Sequence, residues 1–289
     1  MGHLCRIYGI SKQARYKRQA AAKKKMSFES MVLFRVSQLR RRHRYAGVRK
    51  LQKMLADPAY GLPLKIGRDR LLKLLREHDQ LSELRKRCKH ASTGNSTFPD
   101  HPNLLSEIQV SRINQVWVSD ITYVRLAGGK FCYLFLVRDY YSRKILGFAL
   151  TATLSAAGAL AALIMAIKTA KPEPGLIHHS DHGIQYCCKE YTDLLAKFNF
   201  KVSLTSEQHC YDNAVAERIN GILKQEFGLG SLLPNLETAL KLLNDGIKIY
   251  NNERLHASLG YKTPDYVYNM AQEISDFPAK NFTPKTVNL

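Results

Sequence analysis

The chain has 289 residues, 45% of them hydrophobic, and a formal net charge of +20. Residues 1–98 hold 25 of the 44 Lys and Arg but 6 of the 24 Asp and Glu, a net of +19, which leaves +1 on the other 191. Length and apolar content suffice for one sizeable core plus a smaller module. They exclude a helical membrane protein, because the most apolar run, Leu154–Ile167, falls short of the roughly 20 residues a bilayer requires.

A basic third joined to a near-neutral two thirds reads as a grip on a polyanion, nucleic acid first, attached to a chemistry domain, since Lys and Arg that neutralise phosphates release counterions. A solvated basic tail or ribosome-type extension is the alternative. The six cysteines (Cys5, Cys88, Cys132, Cys187, Cys188, Cys210) form no C-x-x-C pair, which excludes a zinc ribbon or redox motif and suits buried or incidental thiols in a reducing cytosol. Met1–Arg18 is basic and has no long apolar stretch, so no secretory signal opens the chain. The expected location is cytoplasmic, associated with the nucleoid.

In chain order, residues 1–90 read as a basic helical region. Gly47 precedes "VRKLQKMLA", and after the Gly/Pro break "YGLPLKIG" comes "RDRLLKLLREHDQL", with Leu71, Leu72, Leu74 and Leu75 on one face. The pattern fits a helix-turn-helix module or a plain helical hairpin; in the former, Arg68, Arg70 and Lys73 at the start of the second helix are candidates for DNA. Residues 91–104, "ASTGNSTFPDHPNL", read as a linker. Residues 105–230 then form a core and 231–289 its C-terminal helix and tail. "QVWVSDITYVRL", "KFCYLFLVRDY" and "SRKILGFAL" predict three strands, the Ala-rich run a buried helix, "GLIHHSD" a fourth strand, "KEYTDLLAKFN" a helix and "KVSLTS" a fifth strand, followed by two long helices. Three strands before the first helix imply a mixed sheet.

Three acids stand out. Asp120 interrupts an apolar strand, and Asp181 ends another. Glu217 lies in "YDNAVAERINGILKQEF", where Asn213, Glu217, Asn220 and Lys224 share a narrow arc of the helical wheel, opposite Ile219, Ile222 and Leu223. An ordinary amphipathic surface helix accounts for that face equally well. The stretch "LIHHSDHGIQY" also crowds His178, His179 and His182 around Asp181. Adjacent residues on a strand point to opposite faces, so His178 and His179 cannot both serve a metal at Asp181, and no H-x-x-H or H-x-x-x-H spacing occurs.

Spacing changes the weight of these acids. Asp181 lies 61 positions after Asp120, Glu217 a further 36, and Lys224 seven more. This arrangement resembles the D,D(35)E plus Lys signature of polynucleotidyl transferases. More specifically, the chain is similar to the OrfB-type transposases of the third family of bacterial insertion sequences. "VWVSDITYV" resembles the family's first-aspartate strand, "DYYSRKILGFAL" its strand pair with an Asp-x-x-Ser-Arg turn (Asp139, Ser142, Arg143), "HSDHGIQY" its second-aspartate segment, and "YDNAVAERINGILKQE" its glutamate helix. "YNNERLHASLGYKTP" resembles its terminal Tyr-Asn-x-x-Arg-x-His pattern, and "YGISKQARYKR", "YAGVRKLQKML" and "RDRLLKLLREHDQL" its basic opening. The chain departs from the family in "SEQH" (Ser206–His209), in Cys187 and Cys188, and in His182.

The resemblance implies an α/β fold, a ribonuclease H-like integrase core with a mixed five-stranded sheet and helices, preceded by the basic all-α region. It implies a DNA transposase that cleaves insertion-sequence ends and transfers the strand, with Asp120, Asp181 and Glu217 catalytic. These carboxylates would hold two Mg²⁺ ions, or Mn²⁺, because hard cations select oxygen ligands over imidazole. Lys224 is expected to hold a backbone phosphate, with Asn213, Asn220, His179, Arg254 and His256 as further DNA contacts. The expected partners are element-end and target DNA, an upstream OrfA product by association or fusion, and further copies of the chain; no membrane is expected. Another ribonuclease H-like nuclease, or a non-catalytic DNA-binding regulator derived from a transposase, is the alternative reading.

Overall fold

A computed structural model describes residues 11–82, 101–106, 108–205 and 214–273; of residues 214–217 and 273 it describes the backbone alone. The chain divides into two compact units, Met1–Leu84 and Arg85–Leu289.

The first unit opens with α1 (Lys12–Arg42), a 31-residue helix capped by Ser11, whose Oγ accepts from the Ala14 N–H at 3.1 Å. A helix of that length is not expected from the short-helix pattern, because its surface is polar and basic over most of its circumference. Its packing rests on Val32, Val36 and Leu39, an i, i+4, i+7 stripe that is buried. Helices α2 (Val48–Ala56) and α3 (Arg68–Glu77) start at Gly47 and Gly67 and bury Leu51, Met54, Leu55 and Leu71, Leu74, Leu75. Their connection, residues 57–67, contains a 3₁₀ turn at Pro58–Tyr60. At eleven residues it exceeds the three- or four-residue turn of a helix-turn-helix. Among the described residues, the unit therefore has three α-helices with a long α2–α3 junction.

The second unit is built on a five-stranded sheet of order β3-β2-β1-β4-β5. Strands β1 (Val116–Arg125), β2 (Phe131–Asp139) and β3 (Ile145–Thr151) run antiparallel, each to its neighbour; β4 (Ile177–Ser180) is parallel to β1, and β5 (Lys201–Leu204) to β4. This is the expected mixed sheet, and alternation explains it: the odd positions Trp117, Phe135 and Val137 pack under α4 (Ala156–Ala170) and α6 (Lys189–Lys197), with the short α5 (Ile184–Cys187) between those helices in sequence. The even positions Val124, Leu134 and Leu136 pack under α7 (Ala214–Glu226) and α8 (Leu236–Asn252). Gly147 is required where α4 crosses β3, since a Cβ there would stand 2.0 Å from the Ala162 carbonyl oxygen.

After α8, the chain returns to the sheet through α9 (Pro264–Glu273), which buries Val267 and Tyr268. The Tyr268 hydroxyl bonds Asn114, and the Lys144 ammonium meets the Asp265 carboxylate at 2.6 Å. Among the described residues, no helix is long and apolar enough to cross a membrane.

Candidate active site

The pairing of β1 with β4 sets the site. Trp117 stands opposite His178 and Val118 opposite His179; two residues further along both strands stand Asp120 and Asp181. Asp120 thus lies inside β1, and Asp181 just past the end of β4, its parallel neighbour. Asp120 is 8% exposed, and its Oδ2 accepts from Asn220 Nδ2 of α7 at 2.6 Å. Asp181, just past the end of β4, accepts at Oδ1 from the Gly183 N–H at 3.0 Å. A Cβ on Gly183 would lie 2.9 Å from that same oxygen, so glycine lets the loop close over the carboxylate.

The electrostatics follow from this packing. Burial pushes the Asp181 carboxyl up from its ordinary value, while the Gly183 N–H and the nearby His182 pull it back. The Tyr186 phenol is pushed well above its ordinary value, first by burial, then by Tyr191, Asp181 and Asp120, which places both carboxylates within electrostatic reach of one ring.

The three histidines have other work. His178, 1% exposed, is hydrogen-bonded through Nε2 to Ser119 Oγ at 2.8 Å and to the Tyr191 hydroxyl at 2.9 Å. Burial, with neighbouring His179, lowers its pKa to about 3, so it is a neutral core residue. His179 points to the opposite face and bonds Ser203 Oγ at 2.9 Å. His182 Nε2 donates to the Thr205 carbonyl at 2.6 Å, tying the loop after β4 to the end of β5.

Residues 110–210 match the model of an integrase core domain, and residues 199–264 match a second integrase core domain model. The 31 kDa protein of insertion element IS600 from Shigella sonnei is 33% identical over 266 residues, covering 90% of this chain and 96% of that protein. The transposase of insertion sequence element IS904 from Lactococcus lactis is 30% identical over 185 residues, covering 62% of this chain and 71% of that protein. The chain belongs to the insertion-sequence transposases with an integrase core. Transposase InsF of insertion sequence IS3A from Escherichia coli is 33% identical over 174 residues, covering 60% of each chain. The sheet order and the matched integrase models together give the transposase its ribonuclease H-like core.

On the α7 face of this transposase, Asn220 is buried against Asp120, and Lys224 is half-buried with its ammonium 4.8 Å from the centre of the Tyr123 ring. Burial lowers the Lys224 pKa, opposed by the Asp120 charge and assisted by Arg125, which ties Lys224 to the acid site. Glu217 belongs to α7 one turn before Asn220; its side chain, like all of Asn213 and the "SEQH" segment, lies outside the described residues.

Three residues expected at DNA are directed inward instead. His179 is fully buried against Ser203. Arg254, 6% exposed, forms a two-pronged ion pair with Glu226 at 2.8 and 2.6 Å, and His256, 8% exposed, lies beside the Arg254 guanidinium and edge-on to Tyr250. Side chains sealed in this way cannot meet a nucleic acid without opening the fold. Arg68, Arg70 and Lys73 remain on the surface, beside Asp69, Glu29 and Glu77 respectively.

Residue types alone did not reveal two features of the site. Asn220 acts on Asp120 rather than on DNA, and Gly183 makes room for the Asp181 carboxylate. The first was signalled by its place on the same helical arc as Glu217; the second had no signal beyond the glycine itself.

Proposed function

We propose that this transposase cleaves and joins DNA at the ends of its insertion sequence with Asp120, Asp181 and Glu217 as ligands for divalent cations. The observation that supports it most is the parallel pairing of β1, which holds Asp120, with β4, which leads directly into Asp181. Two like charges in a largely buried setting repel, and a hard cation between them offsets that cost. The donor set fits such a cation: it is all oxygen, and it includes Asn220 Oδ1, a buried atom with no hydrogen-bond partner among the described residues. Among those residues no group of three His, Cys, Asp or Glu gathers, so the third carboxylate is assigned to Glu217 by its place on α7 and by the family motif.

Bound there, Mg²⁺ or Mn²⁺ supplies Lewis-acid stabilisation of the attacking and leaving oxygens of an in-line displacement. The chain's own contribution is orientation. Asn220 fixes the Asp120 carboxylate, the Gly183 N–H fixes that of Asp181, and Lys224 offers its ammonium to the phosphate beside them. The phosphodiester is first opened by water to expose a 3′-hydroxyl, which then attacks a second phosphodiester. No covalent protein intermediate forms, so no nucleophilic Ser or Tyr is needed. The basic first unit binds DNA backbone, and assembly as a homo-oligomer, with an OrfA product joined or fused, follows from the family resemblance.

The test is divalent-dependent nicking of DNA carrying the element's ends. Asp181→Asn and Glu217→Gln are expected to abolish it, and full activity in either variant overturns the assignment.

A further inference from the structure

Helix α1 has two halves of different character. Val32, Val36 and Leu39 pack in the second half, whereas no residue from 11 to 31 is buried. That exposed stretch carries seven Lys and Arg and, before Glu29, no acid. Among the described residues, Lys12, Arg15, Lys17, Arg18, Lys23 and Lys24 meet no carboxylate, and Lys25 stands 3.9 Å from Glu29. The exposed cations of α3 are placed differently: Arg68, Arg70 and Lys73 lie 2.7, 3.3 and 3.8 Å from Asp69, Glu29 and Glu77. A carboxylate so near repels a phosphate.

The cations of α1 also surround it. Lys12 and Lys23 stand on one side, Lys17 and Lys24 on a second, and Arg18 and Lys25 on a third, roughly 120° apart at about 100° per residue. Packing does not support this half, so its helical form rests on the propensity of Ala, Gln, Lys and Arg. Like charges oppose it, since Lys12 and Arg18 both lie three residues from Arg15. A polyanion that neutralises them removes the repulsion.

The distribution decides which polyanion fits. A lipid surface takes up a helix with an apolar stripe opposite its cations. Here the large exposed apolar side chains, Tyr16 and Met26, share the side of Lys12 and Lys23. The major groove of duplex DNA, about 12 Å wide, admits an α-helix about 10–12 Å across. Phosphates border it on both edges and base acceptors line its floor, so cations on three sides each find a partner. The deep, narrow major groove of duplex RNA excludes such a helix.

We propose that residues 12–27, the unpacked half of α1, enter the major groove of duplex DNA and are the chain's principal grip on the phosphate backbone. This rests on the reading of the first unit as a DNA grip and names the element that performs it.

The test is fluorescence anisotropy of a labelled DNA duplex with the full chain in EDTA, repeated over a range of salt concentrations. Combining Lys17→Gln, Arg18→Gln and Lys24→Gln keeps good helix formers and should reduce the slope of log affinity against log salt by about 2.7. Ala21→Pro changes no charge and should still cost up to roughly 100-fold in affinity, because it breaks the helix. The urea unfolding midpoint of both variants should stay that of the wild type, since the packed residues begin at Val32. Duplex RNA of the same sequence and phosphatidylserine vesicles should each bind more weakly than the DNA. Full affinity in Ala21→Pro overturns the proposal, because an unfolded basic tail would then suffice. Equal affinity for duplex RNA or for the vesicles overturns it too. An unchanged slope in the triple variant, beside a reduced one in Lys73→Ala, sinks this inference and leaves the DNA-grip reading standing; unchanged slopes in both sink the two together.

Discussion

The middle of β1 with the loop after β4, which carry Asp120 and Asp181, and the segment Tyr250–His256 are both polar patches among apolar residues, and both resemble motifs of the family. In the first, like charges lie on and just after two paired parallel strands, and Asn220 and Gly183 hold their carboxylates. In the terminal segment opposite charges are brought together and used up. Arg254 grips Glu226, Asn251 both accepts from and donates to the backbone of Ile145, and the Tyr250 hydroxyl donates to the Arg143 carbonyl. The first arrangement costs stability and is the proposed seat of the chemistry; the second locks α7 and α8 to β3. A motif therefore marks function only where its polar groups are not spent on each other.

The largest effect should come from neutralising a carboxylate of the first patch. Asp120→Asn or Asp181→Asn removes several kcal/mol of transition-state stabilisation, so nicking should fall by about three orders of magnitude while the unfolding midpoint in urea holds or rises. The second patch should respond in reverse. Arg254→Ala strands Glu226 in a largely enclosed site and should cost about 3–5 kcal/mol of stability, read from urea unfolding, with Arg254→Leu combined with Glu226→Leu recovering much of it. A stable Arg254→Ala protein that has lost DNA binding would break the comparison.

A smaller effect concerns pH. The His178 pKa is lowered to about 3 in the fold, below the ordinary value of 6.5. The unfolded chain therefore binds the extra proton between those values, and stability is full above about 6.5 and declines as pH falls, by about 1.4 kcal/mol per pH unit for one proton. His178→Gln should flatten that part of a stability-against-pH curve, provided Ser119 and Tyr191 keep their bonds. Smallest of all, Lys73→Ala breaks an exposed pair with Glu77 and should shift stability by less than about 0.5 kcal/mol. If the first unit grips DNA, the same variant reduces the slope of log affinity against log salt by about 0.9.

Much of this architecture was legible in the residues. Alternating apolar positions bounded by turn residues located all five strands to within a few positions, and the Ala-rich run located α4, because these signals are local. The arc of Asn220 and Lys224 on α7 was legible too, although its meaning was not: the face that read as presented to DNA is closed over Asp120. The length of α1 was hidden by its basic surface, since a three-residue buried stripe is a weak signal in 31 residues. The fate of Arg254 was illegible because its partner, Glu226, lies 28 positions away. Sequence displays which groups are polar, and folding decides which of them are satisfied internally.

The central claim is that Asp181 is a metal ligand, and Asp181→Cys tests it most directly, because a thiolate suits softer ions than Mg²⁺. Nicking by this variant should be lost in Mg²⁺ and recovered at least in part in Mn²⁺. Activity in Mg²⁺ equal to that of the wild type would contradict the account.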